Sequence, residues 1–226
     1  MSDNTSPQPT PTNSRLMLLG TLLVGVIATF VVLYALSNRP RNLATPVVDL
    51  SQNFDGVQPV NPPKQVQDFT LVSQNGNPIS LSDYRGKMVL MVFGYTNCDD
   101  VCPVTLLQFK QIRQKLADKA DKIAFLFISV DPQRDTPTVI GDYVKKFDPT
   151  ITGLAGDAKV FDTIKNDYDL EFVQVPRDDG TAGTSYGISH TPNPFLIDAS
   201  GKMVATYAFG TDLGLVVKDI TSRMDT

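Results

Sequence analysis

Phe93-Gly94-Tyr95-Thr96-Asn97-Cys98-Asp99-Asp100-Val101-Cys102-Pro103, residues 93–103, holds both cysteines of the 226-residue chain. An uninterrupted apolar run, Met88 to Phe93, leads into it. Apolar residues at helical spacing, Leu106, Phe109, Ile112 and Leu116, lead out of it. A buried strand on one side and a 3.6-residue period on the other put the two thiols in a strand-to-helix turn. Folds of the α/β class place their chemistry at such turns. Pro103 belongs in a first helical turn, so the helix starts near Asp100.

Outward from this turn the chain alternates strands and helices. Ile123–Val130 is a second apolar run of the fully buried kind. Asp131–Pro137 is a loop in which Thr136 caps a helix opening on Pro137 and running to about Phe147. Gly153–Gly156 is a short segment, Asp157 caps a helix to about Tyr168, and Glu171–Val175 is a short strand. Arg177–Gly183 reads as a loop. Ser185–His190 and Pro194–Asp198 are extended, and Asp198-Ala199-Ser200-Gly201 turns the chain into Met203–Phe209. An amphipathic helix from about Asp212 to Arg223 closes the domain. On the N-terminal side, Asp68–Leu71 and Ile79–Leu81 flank Asn75-Gly76, a strong hairpin signal. This order, with thiols at the first strand-to-helix junction, predicts an α/β, thioredoxin-like domain over residues 64–226 with an N-terminal β-hairpin.

The remainder reads as targeting and tether. Residues 1–15 are a polar tail. Leu16–Leu36 is an uncharged apolar run of the length needed to cross a bilayer as one helix. A cleaved signal peptide is its rival, since Ala35-Leu36-Ser37 fits a cleavage site, but the run exceeds the usual signal core. Residues 37–63, rich in Pro, Asn, Val and Gln, form a linker. Arg15 before the run and Arg39 and Arg41 after it orient the span poorly. A tail that is neither Arg-rich nor amphipathic argues for a bacterial protein over a mitochondrial one. The net charge of −4 speaks against a nucleic-acid partner.

A structural disulfide between Cys98 and Cys102 closes a very short loop and stabilises little. Asn97, Asp99 and Asp100 mark the turn as exposed. The positive end of the helix dipole lowers the Cys102 pKa, while Asp99 and Asp100 oppose it, and the net sign stays open. The single histidine, His190, precedes a strand beside Thr191-Pro192. In a thioredoxin-like topology this loop faces the cysteine turn, and Pro192 falls where thioredoxin-like redox enzymes carry a cis-proline. Two thiolates with one imidazole form a soft, low-coordinate set that suits Cu(I) and tolerates Cu(II), whereas zinc usually takes a fourth ligand. The residues alone leave both a metal site and a metal-free redox pair open.

Several motifs then fall in register. Phe93-Gly94-Tyr95-Thr96-x-Cys98-x-Asp100-Val101-Cys102-Pro103, Asp131-Pro132-x-Arg134-Asp135-Thr136-Pro137, and His190-Thr191 followed by Phe195-Leu196-Ile197-Asp198-x-x-Gly201 resemble the SCO/SenC family over roughly residues 65–225. The resemblance implies a membrane-anchored, thioredoxin-like domain that binds copper, as Cu(I), Cu(II) or both, through Cys98, Cys102 and His190. It implies service to the dinuclear copper centre of cytochrome c oxidase, by delivering copper, reducing that centre's cysteines, or both. The implied partners are the copper-accepting oxidase subunit, other copper chaperones or thiol reductants, and the membrane. The implied location is the bacterial inner membrane with the domain on the periplasmic side. Asp131 matches an acidic residue with a supporting role. The sequence departs from the family at Asp99, where proline is common, with a raised thiol pKa as the expected effect. Thiol–disulfide oxidoreduction or redox and copper sensing without delivery are the alternatives, so enzymatic activity stays open.

Overall fold

The computed structural model describes residues 55–177 and 186–224, together with Thr29, Val31, Leu33 and Tyr34, which are helical. The chain divides into two units, Met1–Asp49 and Leu50–Thr226. Apart from those four residues, the expected membrane span at 16–36 lies outside the described residues, as do the tail and most of the linker. Among the described residues no helix is long and apolar enough to cross a membrane.

The second unit is built on β4 (Met88–Gly94) and β5 (Ile123–Ser129). Every residue of β4 is buried, and the two strands pair in parallel register from Met88↔Ile123 to Gly94↔Ser129. Strands this apolar need cover on both faces, which is the property that selects an α/β arrangement. Helices α1 (Val101–Leu116) and α2 (Pro137–Lys145) cover one face, with Phe109 against Phe125 and Tyr143 against Phe127. Helix α3 (Ala158–Tyr168) covers the other, where Phe93 packs against Phe161 and Tyr168. Helix α4 (Leu213–Met224) packs on α1. Both expected caps form. Thr136 accepts from the Val139 amide, and Asp157 accepts from Lys159 and Val160.

The remaining strands are β1 (Val57–Gln65), β2 (Thr70–Ser73), β3 (Pro78–Ser80), β6 (Thr152–Ala155), β7 (Phe172–Pro176), β8 (Tyr186–His190), β9 (Phe195–Ile197) and β10 (Lys202–Tyr207). Eight strands form one sheet in the order β1-β10-β9-β4-β5-β6-β2-β3. The expected hairpin is β2–β3, turning through Gly76 at positive φ. Strands β7 and β8 form a separate antiparallel ribbon.

One expectation needs correction. The linker read as far as Pro63 gives way at Val57 to β1, which pairs with β10. Pro59, Pro62 and Pro63 argue against a strand in a sheet interior, but β1 is an edge, where half the backbone amides need no partner. The register shift between Pro59 and Lys64 absorbs the irregularity.

At the carboxyl end of β4, Gly94 decides how closely α1 approaches. A Cβ there would stand 2.8 Å from the Cys102 Sγ and 2.7 Å from the Phe127 ring. Gly94→Ala therefore overpacks this junction, and urea unfolding of the reduced protein is expected to show a loss of about 1–3 kcal/mol.

Candidate metal centre

The cysteine turn is fastened to the sheet by a buried carboxylate. Asp135, 1% exposed, accepts from the Thr96 amide at 2.9 Å, the Thr96 hydroxyl at 2.6 Å and the Ser129 hydroxyl at 2.6 Å. A buried carboxylate requires such partners, and here they are the exits of β4 and β5. Sequence reasoning quoted Asp135 within a motif and gave it no role. Its place two residues before a helix-opening proline was the available signal.

Both thiols are free and buried, 8% exposed at Cys98 and 3% at Cys102, against the expectation of an exposed turn. The acidic side chains face water, Asp99 at 81% exposure, while both cysteines are buried and the Cys102 Sγ lies beside Gly94. Helix α1 begins at Val101 with Asp100 as N-cap, as the proline implied.

His190 comes from the end of the ribbon. Its Nε2 lies 3.7 Å from the Cys102 Sγ, and the ligand atoms of Cys98, Cys102 and His190 all lie within 4.8 Å of one another. The Nδ1–H donates to the Thr191 carbonyl at 3.1 Å, so Nε2 is the ring nitrogen that faces the sulfurs. The peptide between Thr191 and Pro192 is trans, since the cis bond among the described residues is Asn61–Pro62. The cis-proline expected at 192 is thus absent, and the imidazole occupies the approach to the thiols.

Asp131 is not part of the donor cluster. It is 1% exposed, ion-paired to Arg134, and accepts from the Tyr186 hydroxyl at 2.8 Å. Arg134 donates to the Tyr186 carbonyl at 2.9 Å, and its guanidinium lies 3.6 Å from that ring's centroid. The Tyr95 ring meets His190 edge-on at 5.8 Å. Asp131 and Arg134 thereby tie the start of β8 to the β5 exit, and Tyr95 backs the imidazole at its end.

The two thiols differ in acidity. The Cys102 thiol donates to Cys98 and holds it down to about 3, against the opposing effect of burial, with further help from His190 and the amides of Cys102 and Asp100. Cys102 is pushed up by that same hydrogen bond, by burial and by the neighbouring charge of Cys98. The backbone amides of Cys102 and Asp100, at the start of α1, both donate to Cys98, so the positive helix end acts on that thiol. The Cys98 pKa falls, where the departure at Asp99 implied a raised thiol pKa. The Asp99 carboxylate is 81% exposed and paired with Arg177 at 2.9 Å.

The chain and its fold are similar to known proteins. Residues 57–225 match the SCO1/SenC family model. The chain belongs to the SCO1/SenC family. It is 31% identical over 188 residues to the SCO2-like protein of Rickettsia felis, covering 83% of this chain and 86% of that one. It is similar to the solved structure of Bradyrhizobium japonicum ScoI with copper bound, at 33% identity and TM-score 0.63, covering 70% of this chain and 99% of that one. Apo Sco1 from Thermus thermophilus aligns at 31% identity and TM-score 0.65, covering 76% of this chain and 98% of that one. The thioredoxin-like α/β fold is that of these SCO structures.

The acidity of Cys98 has a thermodynamic consequence. From about pH 3 to the ordinary thiol pKa of about 8.5, the folded protein holds a thiolate where the unfolded chain holds a thiol. The unfolded state binds the extra proton, so stability of the reduced protein rises with pH across this window. Above it, the raised Cys102 reverses the sign. Urea unfolding across this range is expected to show the rise in wild type and a flatter slope in Cys98→Ser.

Proposed function

We propose that this SCO1/SenC chain is a membrane-anchored copper carrier, with Leu16–Leu36 as its anchor and its domain on the periplasmic side of a bacterial inner membrane. It delivers copper to the dinuclear centre of cytochrome c oxidase. The observation that carries this reading is the convergence of two sulfurs and an imidazole Nε2 within 4.8 Å, with Nδ1 engaged elsewhere. This donor set suits Cu(I) and tolerates Cu(II). Copper in the ScoI structure supports the same assignment.

The residues divide the work by position. Cys102, on the first turn of α1, is a fixed sulfur. Cys98, on the turn before it, is the thiolate an incoming ligand meets. His190 completes the set from a separate ribbon, and Asp131 acts on it indirectly by holding Tyr186 and Arg134. Delivery proceeds as exchange, a bond to an acceptor thiolate forming as one to a protein ligand breaks.

The low pKa of Cys98 favours a second reading, reduction of the acceptor's disulfide. Cys98 attacks one sulfur of that disulfide, and Cys102 then attacks Cys98 and releases the partner. Two thiols here become a disulfide, and the acceptor gains two electrons and two protons. Metal binding and this reaction exclude each other at any instant, because both consume the same sulfurs.

Copper competition against a chelator, on the reduced full chain in detergent, separates the readings. His190→Ala is expected to lose at least about tenfold in Cu(I) affinity with its disulfide-reductase activity retained. Unchanged affinity would leave only the dithiol reading. Asp131→Asn is expected to lose less affinity than His190→Ala, because Asp131 holds the ribbon and not the metal. An equal loss would make it a ligand.

A further inference from the structure

The ligand set is assembled from two pieces that share no strand pairing. Cys98 and Cys102 belong to the β4–α1 junction, and His190 belongs to the β7–β8 ribbon. Side chains hold the pieces together. One tie is buried and runs through the neighbouring β5 exit, the contact of Asp131 and Arg134 with Tyr186. The other lies at the surface. Arg177, just after β7, donates through Nη2 to the Asn97 carbonyl at 3.0 Å and pairs through Nη1 with Asp99 at 2.9 Å. These two acceptors flank Cys98. Arg177 runs across Gly187 of β8, where a Cβ would stand 3.4 Å from its Nε.

We propose that Arg177 is a positioning residue that clamps the Cys98 turn to the histidine-bearing ribbon and so limits how fast the site exchanges its ligands. The clamp grips the residues on both sides of Cys98, so the sulfur cannot swing outward while both bonds hold. Cys98 is 8% exposed in this arrangement, and an incoming thiolate needs the turn to open. Cys102 has no such freedom, being inside a helix. The buried tie persists as a hinge, because breaking it strands an aspartate that is 1% exposed. The surface tie is the one that yields, since its Asp99 carboxylate is 81% exposed and its ion pair is weak and screened by salt.

A clamp and a mere structural contact differ in what they change. Opening stays rare even without Arg177, so affinity hardly moves, whereas exchange through the open form speeds up in both directions. The proposal rests on the copper-carrier reading, and its test has one arm that does not. In the reduced full chain, Arg177→Ala is expected to release Cu(I) to a competing chelator about five- to tenfold faster, with affinity changed less than about twofold. Arg177→Lys, which keeps the ion pair but not both bonds, should fall between. Raising salt from about 0.05 to 0.5 M should speed release in wild type and leave Arg177→Ala unaffected. In the metal-free protein, exchange of the Cys98 amide, which donates to the Tyr95 carbonyl at 3.3 Å, should rise by a similar factor. An unchanged release rate, or affinity falling in step with the rate, overturns the clamp. A wild type that fails to hold copper overturns the carrier reading instead. The amide exchange then decides the clamp alone: a rise supports it, and none refutes it.

Discussion

The buried carboxylate of Asp135 is the constraint on which the rest of the site depends. It accepts three hydrogen bonds from residues leaving the two central strands, Thr96 after β4 and Ser129 at the end of β5. A carboxylate this deeply buried is costly unless fully partnered, so its presence fixes the path of both exits at once. That path sets where α1 starts. It brings Cys102 against Gly94, the one residue type that leaves room for its sulfur, and aims the first-turn amides at Cys98.

The second half of the site reaches the first without any shared sheet. The ribbon that carries His190 is held by Tyr186, wedged between Asp131 and Arg134, and by Arg177 at the turn. Packing supports it from below, where Phe172 of β7 meets Phe161 of α3. One sulfur on a helix, one on a turn and an imidazole on a ribbon are three different supports for a single donor set.

Much of the fold was legible because its signals are local. The apolar runs of β4 and β5, the caps Thr136 and Asp157, the proline in the first turn of α1 and the Asn75-Gly76 hairpin each follow from a few adjacent residues. The three candidate donors were legible as residue types, soft donors in a chain with two cysteines and one histidine. Strand β1 was not, because its prolines are tolerated only at an edge, and edge position is a property of the whole sheet. The acidic residues around Cys98 were misread as a sign of exposed thiols, since side chains on one turn can face opposite ways.

Sequence alone determined the class of the domain, the order of its main elements after β1 and the identity of the donor atoms, because periodicity, capping and ligand chemistry are set by residues and their near neighbours. Only the tertiary structure decided that the donors meet, which thiol carries the charge, and what Asp131, Asp135 and Arg177 hold. Cys102 and His190 are 88 positions apart, Asn97 and Arg177 are 80, and Asp131 and Tyr186 are 55. Contacts at such separations exist only after the sheet has formed. The acidity of a thiol then depends on the amides, hydrogen bonds and burial that the folded chain supplies around it.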